Sequence, residues 1–277
     1  MTPIAADDLG TRNAPARVPE RLVSLVPSIS ELLWWWHLAD RVVGVTDWCV
    51  APPRAFGSAR RVRGTKNPDL AAIRTLVPDL VVADQEENRA IDVERLREAG
   101  LAVHVTRVRG LADLAGTFAR LGGALGVRDA AEATATTIAR AASNPPPTPP
   151  VRAVVGVWRD RRRDGWWVLG ADTFGASLLA AAGFRVLPDD PAGRYPVRAL
   201  DDLVAMAPDV VLLPDEPYAF GPGDVEELRD RGLRVRQVDG TSLWWWGPRT
   251  PTAIGDLRRL GRHLRRRRRS GPAGGQP

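Results

Sequence analysis

The chain has 277 residues, a hydrophobic fraction of 44% and a formal net charge of +6, enough for two ordinary soluble domains. One cysteine, Cys49, excludes an internal disulfide and a cysteine metal cluster, and His37, His104 and His263 lack ligand spacing. The basic balance does not by itself point to nucleic acid. Lys66 is the only lysine, and the arginine excess accompanies abundant Ala, Gly and Pro, as a GC-rich genome produces.

Residues 1–19 are proline-rich and charged, with no apolar run of signal-peptide length and no lipid-attachment cysteine, and read as a disordered leader. No stretch reaches 18 apolar residues. The chain as it stands reads as cytoplasmic; a start further upstream would make it extracytoplasmic.

A first α/β lobe is expected over 20–110. It opens with the strand in RLVSLVPS (21–28) and the helix in ISELLWWWHLA. Val42–Val45 reads as a strand, and Asn67 as the cap of the next helix. Leu70, Ile73 and Leu76 share a helical face, Pro78 stops that helix, and Leu80–Ala83 suits a buried parallel strand. A helix, a glycine and another strand follow in VERLREAGLAVHV.

Residues 111–144 have helical spacing at Leu111, Leu114, Phe118, Leu121 and Leu125, weakened at Gly122, Gly123 and Gly126. They predict a connecting backbone of one long helix or two abutting ones, roughly 45 Å long at about 1.5 Å per residue. A proline-rich linker occupies 145–150, a second α/β lobe 151–264, and a disordered arginine-rich tail 265–277.

The second lobe repeats the first. At a constant offset, Leu70 matches Leu200, Ile73 matches Leu203, Leu76 matches Met206, and Pro78-Asp79 matches Pro208-Asp209. Glu86 falls opposite Glu216, and VEELRDRGLRVRQ repeats VERLREAGLAVHV after a two-residue slip. Strands alternating with helices imply parallel sheets with right-handed crossovers. The expected architecture is α/β: two Rossmann-like lobes joined by a backbone helix, with a ligand cleft between them.

In parallel sheets, ligands meet loops at the carboxyl ends of strands. In the first lobe those loops hold Pro27 and Ser28, Trp48, Gly64-Thr65-Lys66, and Glu86-Glu87. In the second they hold the stretch Trp158 to Trp167, with Trp166 and Trp167 at its end, then Tyr195, Glu216, and Trp244-Trp245-Trp246 with Arg249. Ten tryptophans are many for this length, and indole faces suit a large, rigid, mostly apolar ring system. Trp34-Trp35-Trp36 read instead as helix packing. Lys66 divides evenly between a polar ligand contact and a solvated loop position, and Cys49 reads as a small buried residue. No GxSxG, P-loop, HExxH or GxGxxG pattern is present, so no catalytic residues and no metal or intrinsic cofactor are expected.

RLVSLVPSISELL, RVVGVTDWC, GTKNPDL and PDLVVADQEEN together resemble the cobalamin- and iron-siderophore-binding solute receptors of ABC importers. WWVLGADTFGASLLAAAGF, GRYP, PDVVLLPDEPYAFG and VDGTSLWWWGPRT agree, so the resemblance covers about 20–262. It implies a monomeric, non-catalytic receptor that binds cobalamin or a related corrinoid, or another metal chelate. It further implies delivery to an ABC permease dimer, docked through Glu86, with Glu87 beside it, and Glu216. Two other readings stay open: a cytoplasmic corrinoid-handling protein, and a two-lobe α/β enzyme acting on a nucleotide sugar. Specific nucleic-acid binding ranks behind both.

Overall fold

The computed structural model describes residues 6–12, 17–50, 52–189 and 193–269, without side chains for 267–269. The rest of the expected leader (1–5 and 13–16) and tail (270–277) lies outside the described residues. The chain divides into two compact units, with the boundary inside a helix at Ile138.

In the first unit, β1 (Leu22–Ser24) leads into α1 (Pro27–Trp35), β2 (Val42–Val45) and β3 (Arg60–Arg61). A small hairpin, β4 (Arg63–Gly64) and β5 (Asn67–Pro68), precedes α2 (Leu70–Thr75). Then come β6 (Leu80–Asp84), α3 (Ala90–Glu98) and β7 (Val103–Thr106), followed by α4 (Leu114–Leu125) and α5 (Arg128–Ser143). The main sheet runs β3-β2-β1-β6-β7, parallel throughout. β6 is buried along its whole length, as a strand covered by helices on both faces must be.

In the second unit, β8 (Val151–Asp160) and β9 (Gly165–Val168) form an antiparallel hairpin before α6 (Phe174–Ala181) and β10 (Phe184–Leu187). β11 (Val197–Arg198), α7 (Leu200–Ala205), β12 (Val210–Pro214), α8 (Pro222–Asp230) and β13 (Val235–Val238) follow. α9 (Thr241–Trp244) and α10 (Thr250–Arg269) complete the described chain. The parallel strands run β10-β8-β12-β13, the same order as β2-β1-β6-β7.

The repeat extends to individual hydrogen bonds. Asp79 accepts the backbone N–H of Arg21 at 2.9 Å, and Asp209 accepts that of Arg152 at 2.9 Å. The Arg21 guanidinium donates to the Leu76 carbonyl at 2.7 Å, and Arg152 to the matching Met206 carbonyl at 2.6 Å. Both helices then leave through a left-handed residue, Val77 and Ala207, each at φ 45°. A side chain in that region carries local strain, which the flanking clasp holds in place.

Several expectations need correction. Residues 6–12 are not a disordered leader. Asp7 and Asp8 are buried: Asp7 accepts from the Arg97 guanidinium at 2.9 Å and Asp8 from the Thr117 hydroxyl and Arg120 Nε, both at 2.6 Å. A buried carboxylate is kept only where paired, and these pairs pin the segment to α3 and α4. The backbone stretch takes the second of its two expected forms, two abutting helices, because Gly126 adopts φ 75° and ends α4. α4 and most of α5 belong to the first unit, where Phe118 and Leu121 are core residues. Asp69, not Asn67, caps α2, accepting from the Ala72 N–H at 2.9 Å. Of Trp34-Trp35-Trp36 only Trp36 packs inside; it donates to the Thr134 hydroxyl at 3.0 Å, while Trp34 and Trp35 are exposed. The expected tail begins as helix, since α10 continues to Arg269.

Val77→Gly should raise unfolding stability by about 0.5–1 kcal/mol, because glycine takes the left-handed conformation without a Cβ clash. Asp79→Ala should lower it by about 1–2 kcal/mol through the lost backbone acceptor. Urea unfolding of both variants measures this, and a less stable Val77→Gly protein refutes the strain argument.

Candidate functional site

The first unit gathers four loops at the carboxyl edge of its sheet. β1 ends against Pro27 at the start of α1, with Ser28 buried behind it. β2 ends in Thr46-Asp47-Trp48-Cys49. Arg61 holds this loop by donating to the carbonyls of Thr46 (2.9 Å) and Cys49 (3.1 Å). The Cys49 thiol accepts from the Ser30 hydroxyl at 2.9 Å and lies 3.0 Å from the Thr46 hydroxyl; burial raises its pKa, which suits a packing role. The loop so fixed leaves the Trp48 indole 65% exposed. A Cβ on Gly64 would come within 3.4 Å of Trp48 Nε1 and 2.5 Å of the Asn67 amide oxygen, so any larger residue there would displace the Asn67 side chain.

Asn88 joins these loops. Its amide carbonyl accepts the Asp84 N–H at 2.9 Å, and its amide NH₂ donates to the carbonyls of Thr65 (2.9 Å) and Leu25 (3.4 Å). The Lys66 ammonium donates to the Glu86 backbone carbonyl, fastening the β4–β5 hairpin to the loop after β6. Pro27, Ser28, Trp48, Gly64, Thr65, Lys66, Glu86 and Glu87 are therefore brought to one edge. Asp84 organises the floor. It accepts the N–H of Glu86 at 2.8 Å and the Thr106 hydroxyl at 2.7 Å. Burial nevertheless pushes its carboxyl up to about 6.

In the second unit, the stretch 158–167 expected as a loop is the β8–β9 hairpin, and it sorts its tryptophans by face. Trp166 is not a ligand-facing residue. It is 0% exposed, stacked on Phe220 at 5.9 Å, with Arg159 over its ring at 5.0 Å. Trp158 (49% exposed) and Trp167 (38% exposed) are cross-strand partners, and on its other side Trp167 pairs with Val197 of β11. The Tyr218 ring packs on Trp158 at 4.9 Å and on Phe220 at 4.9 Å, extending this aromatic surface to the loop after β12.

Glu216 sits on that loop, two residues beyond β12, as Glu86 sits two residues beyond β6. Its backbone carbonyl accepts the Trp244 indole N–H at 2.6 Å, the counterpart of the Lys66 contact to Glu86. Burial raises the pKa of its carboxyl, opposed by a hydrogen bond from Trp245 and by the charge of Arg249. Arg249 lies over the Trp245 ring at 4.7 Å and donates to the Thr241 hydroxyl. A Cβ on Gly240 would come within 2.5 Å of Glu216 Cγ, so the close approach needs glycine. Trp246 departs from expectation: it is 5% exposed and part of the core. Tyr195 lies beneath the Arg194 guanidinium at 5.7 Å, on the stretch whose carbonyl at Arg194 accepts the Gly170 N–H at 2.7 Å.

Sequence reasoning did not single out Asn88 or Asp84. The signal was present: an asparagine four residues after a strand-ending aspartate can fold back onto its backbone.

Residues 22–231, most of the chain, match the model of a known family, described as periplasmic binding protein. The chain belongs to the periplasmic binding protein family. A cobalamin-binding protein of Halobacterium salinarum is 32% identical over 209 residues, covering 70% of this chain and 53% of that protein. The chain thus spans about half the length of the curated relatives it matches. Among solved structures, the periplasmic heme-binding protein RhuT from Roseiflexus sp. RS-1 has a TM-score of 0.75 at 23% identity, covering 88% of this chain and 98% of that one. The periplasmic vitamin B12-binding protein BtuF of Vibrio cholerae has a TM-score of 0.71 at 20% identity, covering 90% and 98%. At these identities the two structures establish the shared fold. The described residues of this family member hold no group of three or more His, Cys, Asp or Glu placed for a metal, and no helix long and apolar enough to cross a membrane.

Trp166→Ala should destabilise the protein by about 3–5 kcal/mol, the cost of an emptied core position, whereas Trp167→Ala should cost less than about 1 kcal/mol. Equal losses in chemical denaturation contradict the assignment of faces. Asp84 gives a pH dependence of defined sign. Its folded pKa lies above the unfolded value, so the folded state holds the extra proton and stability falls as pH rises from about 4 to about 6. Asp84→Asn should flatten that slope; an unchanged slope assigns it to other groups.

Proposed function

We propose that this periplasmic binding protein is the solute receptor of an ABC importer. It binds a cobalamin-like corrinoid, without chemistry, on the carboxyl-edge loops of its two units. The observation that carries this is the exposed tryptophan faces at the carboxyl edges: Trp48 in the first unit, and Trp158 and Trp167 on the β8–β9 hairpin of the second, backed by the half-buried Tyr218. Water-exposed indoles held by packed neighbours supply apolar area at little entropic cost, and suit a broad, rigid macrocycle. The identity shared with a cobalamin-binding protein supports the choice of ligand.

In the first unit Trp48 would offer its face to the ring system; in the second Trp167 would, with Trp245 and Arg249 meeting polar arms. Pro27, Ser28, Gly64, Thr65 and Tyr195 would shape the surface. Lys66 would act by holding the Glu86 loop, since its ammonium already serves that carbonyl. Trp166 and Trp246 would support from the core. Glu86, with Glu87 beside it, and Glu216 would dock on a permease, both standing two residues beyond equivalent strands. Such a receptor would work outside the cytoplasm.

Titration of the full chain with cobinamide and cyanocobalamin, followed by tryptophan fluorescence, tests this. Binding in the micromolar range or tighter is expected, weakened about tenfold by Trp48→Ala and by Trp158→Ala, equivalent to about 1.4 kcal/mol each. No response to either corrinoid at high micromolar concentration overturns the reading. A response to haemin alone replaces corrinoid with haem as the ligand.

A further inference from the structure

The second unit carries a cavity of about 600 Å³ at the amino edge of its sheet, at the opposite strand ends from its tryptophan-bearing loops. The cavity opens where β8, β12 and β13 begin, and the last turns of α10 form one side. Pro149, Pro150 and Leu264 give it an apolar wall, and Asp209, Arg234 and Arg265 its charged part. Asp209 is already engaged: its carboxylate accepts the Arg152 N–H at 2.9 Å as half of the repeated clasp.

The two arginines are under-used. Arg234 is exposed and makes no side-chain hydrogen bond or ion pair among the described residues. Among the described residues Arg265 reaches only the Gly183 carbonyl, at 3.5 Å, and its Nη2 has no partner; it lies buried beside Gly261 of its own helix and would turn outward to meet a ligand in the cavity. A buried donor left unmet is costly, and a guanidinium is the side chain best shaped to meet phosphate or carboxylate oxygens in pairs. Two guanidiniums lining one cavity match a dianion better than a monoanion.

We propose that this cavity is a binding site for a phosphate-bearing anion, held by Arg234 and Arg265 with its carrier group against Pro149, Pro150 and Leu264. The volume falls in the range of small-molecule sites. The site is separate from the loops assigned to the transported ligand and does not depend on that assignment.

The test uses the full chain at low salt, titrated by calorimetry with pyrophosphate and then inorganic phosphate. Pyrophosphate should bind at submillimolar concentration or tighter, and Arg234→Ala should weaken it at least tenfold. Arg234 is exposed, so this variant keeps the fold; Arg265→Gln should weaken binding equally. Arg259→Ala, on an exposed position of the same α10, should leave binding unchanged, and an equal loss there would mean diffuse charge attraction and overturn the site. Vesicles containing phosphatidic acid, whose headgroup is a phosphomonoester, distinguish the source. Capture that Arg234→Ala abolishes assigns a lipid headgroup, and pyrophosphate binding without capture assigns a soluble phosphate; both support the site. Failure of both probes to bind overturns it. Corrinoid titration of the same variants should be unaltered, which separates this outcome from that of the receptor reading.

Discussion

An aspartate carboxylate that receives the amide of the incoming central strand sets the register of each sheet. Asp79 does this for β1 and Asp209 for β8. In each unit an arginine at the start of that strand also donates to the carbonyl just past the helix that leads into the neighbouring strand, Leu76 after α2 and Met206 after α7. A helix that ends in this way must turn through a left-handed residue before its strand begins, which is why Val77 and Ala207 share one strained conformation. Once that corner is fixed, β6 and β12 begin at equivalent heights. The loops that follow them then leave the sheets at equivalent points.

The two carboxyl edges are built to the same plan with different chemistry. In the first unit a buried asparagine amide ties three loops, and a lysine holds the Glu86 carbonyl. In the second, Asp215 accepts the Gly240 N–H at 2.7 Å and a tryptophan indole holds the Glu216 carbonyl. Hydrogen bonds of Thr241 and Ser242 to Asp239 keep that carboxyl below its usual pKa despite burial, so the loop retains a charged anchor near Arg249. The inserted β8–β9 hairpin is the main departure from the repeat. It adds an antiparallel extension whose two faces carry opposite duties, Trp166 inward and Trp158 with Trp167 outward.

These differences bear on how such a protein recognises a ligand. A tryptophan contributes more to binding when its exposed face is held still, and the Trp48 and Trp158 indoles are held from behind. Trp48 rests on a loop clamped by Arg61, and Trp158 is braced by Tyr218, which is braced by Phe220 and Trp166. Preorganised aromatic surface of this kind limits the entropy lost on association.

The sequence by itself determined the duplication, the parallel direction of the repeated strands and the positions of most strand-end loops. Apolar periodicity and helix-stopping residues are local signals, and the offset between Leu70–Glu86 and Leu200–Glu216 shows them twice. It also placed Glu86 and Glu216 correctly, because strand length fixes how far beyond the sheet a residue stands. Only the tertiary structure decided which tryptophans point outward. In a strand adjacent residues face opposite ways, so Trp166 and Trp167 are alike in sequence and opposite in burial, and only the partner sheet reveals which face is covered. Likewise Asp7, Asp8 and Asn88 look like ordinary surface residues until distant segments bring them their partners, and long-range pairing leaves no mark in local composition.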